Sequence, residues 1–158
     1  MESQSGLASS TPAPVQNKRQ ETVDSAGSWK PNNMFNVPFS SITDFFKWWF
    51  IFLRPFISLT EKEIEVMASF LRHRWELSKI THDAVILDTM VMSGDTKRMV
   101  IEECGITLQH FYVVMSALRR KKAILNGIIN PKLIPNVRED FNGTFKLLIQ
   151  FSDKDRKK

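Results

Sequence analysis

The residues best suited to bind a metal or carry a proton are His73, His82, His110 and the single cysteine, Cys104. Their spacing serves neither purpose. No histidine has a second histidine or cysteine at the short offset from which one turn or helix face presents two ligands to an ion. Gly94, Gly105, Gly127 and Gly143 stand alone, so no glycine-rich loop can cradle a phosphate. Acids cluster at Glu61, Glu63 and Glu65 and at Glu102 and Glu103. Their period places them on exposed helix faces, where they read as solvated charge. An enzyme needs converging reactive groups. The sequence therefore predicts a non-enzymatic protein, with no catalytic residue, no metal ligand, no cofactor and no small-molecule substrate.

Binding chemistry is better represented. Arg119, Arg120, Lys121 and Lys122 are consecutive, and together with Lys97, Arg98 and Lys132 they could neutralise nucleic-acid phosphates. Just upstream, Gln109, His110, Tyr112 and Ser116 could hydrogen-bond base edges or phosphates. Cations also suit the C-terminal end of a helix dipole, whatever the partner. Tyr112 and Val113 share the exposed face, and that helix has no Arg or Lys before Arg119. Both features suit a protein interface, and they favour backbone contacts over base reading. The net charge of +5, from 22 Lys and Arg against 17 Asp and Glu, permits an anionic partner without requiring one. One cysteine excludes an intrachain disulfide and fits a reducing compartment. Cys104 itself reads as a small buried residue.

The elements that must position these residues follow from caps and periodicity. Thr60 and Glu63 form a capping box ahead of a long helix whose apolar face is Ile64, Met67, Ala68, Leu71, Trp75 and Ile80. Asp83 caps a second helix carrying Val85, Ile86, Leu87, Met90 and Val91. Asp95 or Thr96 caps a third, with Met99, Val100 and Ile101 in its core contacts, and Gly105 ends it in a left-handed conformation. Thr107 caps a fourth, whose buried stripe is Ile106, Phe111, Val114 or Met115, and Leu118. Ile124 and Leu125 predict a short strand before a turn at Asn126-Gly127. Residues 145–151, FKLLIQF, predict another strand after a loop over 139–143. This is one domain over 59–151, mainly α with a small β-hairpin wing, and residues 152–158 form a charged tail.

Two segments precede that domain. Residues 1–36 are rich in Ser, Thr, Pro, Gln and Asn, with apolar residues scattered without period. Such a segment buries too little surface to offset its ordering entropy, so a flexible arm is expected. It also lacks the apolar core of a signal peptide. Residues 37–58 predict a helix capped at Ser40 or Ser41 and ended by Pro55. Phe45, Trp48, Trp49 and Phe52 fall at i, i+3, i+4 and i+7, and with Phe56 they are the expected partner-binding residues. This helix is apolar nearly all round and must be covered. The cover could be the main domain, a second copy, another protein or a membrane interface. Residues 45–59 are too short to span a bilayer and are interrupted by Lys47, Arg54 and Pro55. Because the polar face is meagre, a membrane partner is not expected.

The run ECGITLQHFYVVMSALRRKKAI resembles the helix-turn-helix of winged-helix transcription regulators. Gly105 matches at the turn, Ile106 after it, Thr107 as cap, Leu118 in the core and Ile124 entering the wing. The resemblance covers residues 96–151. With LTEKEIEVM, INPKLIP and FKLLIQF, the chain also resembles small winged-helix proteins of tailed phages of gut Bacteroidota, including crAss-like phages. It implies a winged helix-turn-helix acting on DNA in the host cytoplasm, or serving in the virion as a docking block among other virion proteins. The arm and the aromatic helix depart from a simple repressor and point to a homo-oligomer or a larger assembly.

Overall fold

A computed structural model describes residues 37–138 together with Phe141, Gly143, Phe145 and Leu147. The described fold belongs to the unit Pro38–Lys158. It is mainly helical, with five helices and a small antiparallel hairpin: α1 Ile42–Ile57, α2 Glu61–Ser78, α3 Ala84–Val91, α4 Gly94–Glu103, α5 Leu108–Arg120, β1 Ile124–Leu125 and β2 Ile128–Ile129. A short 3-10 helix, Pro131–Leu133, follows the hairpin. The expected arm over 1–36 and tail over 152–158 lie outside the described residues, as does most of the strand expected over 145–151. Neither Phe145 nor Leu147 is in a strand.

Helix α2 is the central element and packs against α1, α3, α4 and α5. Its buried residues include Ile64, Val66, Met67, Ala68, Phe70 and Leu71. Its start is the capping box the sequence predicts: Thr60 Oγ1 accepts the Glu63 N–H at 3.4 Å, and Glu63 Oε2 accepts the Thr60 N–H at 2.8 Å. The helix ends at Ser78, so Ile80, expected on its apolar face, lies beyond it and is 78% exposed.

Helix α1 corrects two expectations. Ser41 caps it, accepting the Asp44 N–H at 3.1 Å, but Pro55 does not end it. A proline in the last turn removes one hydrogen bond and keeps a helical φ, so α1 runs on to Ile57 and closes at Ser58, whose φ is 47°. The buried face also differs from the predicted stripe. Phe45, Phe46 and Phe50 are buried, whereas Trp48 and Phe52 are 39% and 48% exposed. A helix apolar on every side carries no periodic signal that selects a face; tertiary partners select it. Trp49 Nε1 donates to the Leu133 carbonyl at 2.7 Å, and the Phe45 ring lies 5.0 Å from Phe141 and 5.1 Å from Phe145.

The remaining helices mostly follow their caps. Asp83 Oδ1 accepts the N–H groups of Val85 and Ile86 at the start of α3, where Leu87 and Val91 are buried while Val85 and Ile86 are exposed. Ser93, rather than Asp95 or Thr96, caps α4. Thr96 is buried in the first turn, and its hydroxyl donates to the Met90 carbonyl at 2.9 Å. Val100 is buried on α4 and Met99 is not. A Schellman motif ends the helix: the Ile106 N–H reaches the Ile101 carbonyl, the Gly105 N–H reaches that of Glu102, and Gly105 has φ 59°.

Candidate functional site

The face of α5 away from the core, continued into the hairpin, gathers most of the predicted binding residues. Thr107 opens the helix by accepting the His110 N–H at 3.2 Å. Phe111, Val114, Met115 and Leu118 are buried, which fixes its rotation. Leu108, Gln109, His110, Tyr112, Val113, Ser116, Arg119 and Arg120 therefore point outward. Its first turns are apolar as well as polar: Leu108 is 56% exposed, and Tyr112 and Val113 are each 62% exposed. Arg119 and Arg120 stand in the last turn.

Lys121 does not join them. Its ammonium donates to Glu63 Oε2 at 2.6 Å and to the Ser58 carbonyl at 2.9 Å. This corrects two readings: Lys121 is a structural cation, and Glu63 is buried rather than on a solvated face. Burial would raise the Glu63 carboxyl. Hydrogen bonds from Lys121 and the Thr60 N–H, with the Lys121 charge, outweigh it and hold Glu63 below its ordinary value.

Lys122 takes φ 59°, which turns the chain out of α5 and into the hairpin. Ile124 pairs with Ile129 and Leu125 with Ile128 across Asn126 and Gly127, both at positive φ as a two-residue type I′ turn requires. Asn130 then closes the structure. Its Nδ2 donates to the Lys122 carbonyl at 2.9 Å, and its Oδ1 accepts the Lys132 N–H at 3.1 Å. One side chain thus holds the backbones of Lys122 and Lys132 together. Both lysines are exposed, and neither they nor Arg119 and Arg120 form a salt bridge among the described residues. On α4, Lys97 is half-buried, and Arg98 pairs with Asp95 at 3.3 Å on an open surface.

The aromatic set on α1 divides. Phe45 is core, and Trp49 is half-buried and hydrogen-bonded, so neither is free to meet a partner. Trp48, Phe52 and Phe56 are exposed.

One polar cluster went unread in the sequence. The sequence pattern places Glu103 on a solvated face, whereas the fold uses it to anchor α4 to α2. Its carboxylate accepts from Ser69 Oγ at 2.5 Å, pairs with Arg72, and lies 3.0 Å from His73 Nε2. Serine, imidazole and carboxylate do not form a nucleophilic relay here. The hydroxyl and the ring meet the same carboxylate instead of each other, and Ser69 and His73 are both buried. Arg74 and Asp88 make a similar tie between α2 and α3 at 3.1 Å. Contacts 30 to 34 residues apart leave no local pattern, so only chain-distant packing could reveal this cluster.

Cys104 is half-buried rather than buried; that burial, with Glu65 and Glu103 nearby, pushes its thiol up to about 11, which favours the protonated form. Among the described residues no three His, Cys, Asp or Glu side chains are placed to hold a metal ion, and no helix is long and apolar enough to cross a membrane. Comparison with protein-family models, with curated proteins and with solved structures finds no match to this chain.

Proposed function

We propose that this chain is a non-enzymatic winged helix-turn-helix module that binds nucleic acid chiefly through the phosphate backbone. Helices α4 and α5 form the helix-turn-helix, and β1 and β2 form the wing. The observation that carries the reading is the Asn130 bridge. It ties the backbone of Lys132 to that of Lys122, two residues beyond Arg120 at the end of α5, and in this reading the four cations act as one edge. Gln109, His110, Tyr112 and Ser116 lie on the exposed side of α5 and add hydrogen bonds, while on α4 the half-buried Lys97 and the Asp95-paired Arg98 contribute less charge. The partner follows from charge: a polyanion releases counterions when it meets such an edge.

Titrating labelled duplex DNA at two salt concentrations tests this reading. Four phosphate contacts give a slope of log affinity against log salt of about −3 to −4, so affinity falls about a hundredfold between 50 and 200 mM salt. The Arg119→Glu/Arg120→Glu variant should lose most of it. No measurable affinity at low salt sinks the proposal.

The exposed Leu108, Tyr112 and Val113 favour a second reading. Apolar side chains in the first turns of α5 suit a protein interface, so the same fold would be a docking block, in a phage particle as the resemblance implies. Leu108→Ser/Val113→Ser separates the two. It abolishes assembly under the docking reading and spares DNA affinity under the first.

A further inference from the structure

The side of α1 turned away from α2 is an apolar strip with a cationic edge. At 100° per residue Trp48, Ile51, Phe52, Pro55 and Phe56 fall together. Trp48 is 39% exposed, Ile51 40%, Phe52 48% and Phe56 79%. Lys47, half-buried, and Arg54, exposed with its Nε donating to the Leu59 carbonyl at 3.0 Å, lie on the flank between this strip and the buried Phe50; the outer guanidinium nitrogens of Arg54 remain for a partner. The acid of α1, Asp44, sits in its first turn, where its carboxylate accepts from the Ser40 hydroxyl at 2.7 Å while its N–H donates to Ser41 Oγ.

We propose that this strip seats α1 in the plane of an anionic membrane surface. Area argues against a second copy as its cover. The exposed fractions of Trp48, Ile51, Phe52 and Phe56 amount to about two large side chains, roughly 400 Å² of accessible surface and about half of the roughly 800 Å² each partner gives to a stable pair. A bilayer needs no matching interface of that size, only aromatic rings that enter the boundary between headgroups and acyl chains. Trp48, Phe52 and Phe56 are such rings. Charge supplies the complement: Lys47 and Arg54 meet anionic headgroups at the same level, whereas a two-fold pairing of α1 with itself repeats its cations on both sides. The meagre polar face of α1 is no obstacle, because its opposite side is covered by the protein's own core. Depth is limited by Pro55, which has no N–H to give the Ile51 carbonyl. A carbonyl without that donor is tolerated at the hydrated interface and costly in hydrocarbon.

Flotation of the full chain with vesicles of phosphatidylcholine, alone or mixed with phosphatidylserine, tests the proposal. The chain should float with the mixed vesicles, and Phe52→Ser/Phe56→Ser should reduce partitioning about tenfold or more while circular dichroism shows an unchanged fold. Three results overturn it. The first is a chain that stays at the bottom with both vesicles. The second is undiminished flotation of the Phe52→Ser/Phe56→Ser variant with binding lost only in Arg119→Glu/Arg120→Glu, which assigns the attraction to α5. The third is a dimer by light scattering that the Phe52→Ser/Phe56→Ser variant dissociates, which makes a second copy the cover.

Discussion

Lys121 Nζ lies 2.6 Å from Glu63 Oε2, and this contact joins the end of α5 to the capping box of α2. The carboxylate that closes the cap by accepting the Thr60 N–H is the one that holds Lys121. Removing either partner leaves the other charge poorly satisfied at a largely buried site. Lys121→Met should therefore cost about 1–3 kcal/mol in denaturant unfolding, with nucleic-acid affinity little changed. Arg119→Glu should show the reverse, a large loss of affinity at nearly constant stability.

The same pair sets a pH dependence. Glu63 is held below its ordinary value of 4.5 in the fold. A carboxyl depressed on folding stabilises the native state above its unfolded pKa, and that contribution is lost as pH falls through the folded value. The denaturation midpoint should fall as pH drops below about 4.5, and Glu63→Gln should flatten that part of the profile at lower overall stability. An equal acid slope in the variant excludes Glu63 as its source.

Phe50 and Phe52 stand two residues apart on α1 and face opposite ways, one fully buried and one 48% exposed. Phe50→Ala should cost about 3–5 kcal/mol, as deletion of a core ring does. Phe52→Ala should cost under about 1 kcal/mol. Equal costs would mean that α1 packs on a different face.

Asn130→Ala removes both hydrogen bonds that hold Lys122 beside Lys132. Thermal unfolding should show a loss of about 1–2 kcal/mol, and DNA affinity should weaken although no cation has been removed. Unchanged affinity would separate the bridge from binding.

At Gly105 the backbone sits at φ 59°, and an added Cβ would meet nothing within 4 Å. Gly105→Ala should then carry only the left-handed backbone cost, about 1 kcal/mol. A much larger loss in the unfolding curve would show that the α4–α5 turn is constrained by more than its own conformation.

The features legible in the sequence are those whose partners lie within a few residues. Ser41, Thr60 with Glu63, Asp83, Gly105, Thr107 and Asn126-Gly127 all stand where their local chemistry predicts. Caps and turns are satisfied by the adjoining backbone and need no tertiary fold. The buried stripe of α5 was equally readable, because its polar and apolar residues alternate with a clear helical period. Tertiary structure decided what period and proximity leave open. Helix α1 is apolar all round, so tertiary packing chose its buried face: Phe46 and Phe50 are buried in the core, Phe141 and Phe145 cover Phe45, and the Leu133 carbonyl holds Trp49. Asp95 and Thr96 are the caps the sequence suggests for α4, but Ser93 takes the place by accepting the Thr96 N–H, while the Thr96 hydroxyl is drawn in to the Met90 carbonyl. Lys121 was one of four consecutive cations until Glu63, 58 residues away, removed it from the candidate site. A sequence states a charge and its neighbours along the chain, but only the fold brings that charge to the buried group that needs it.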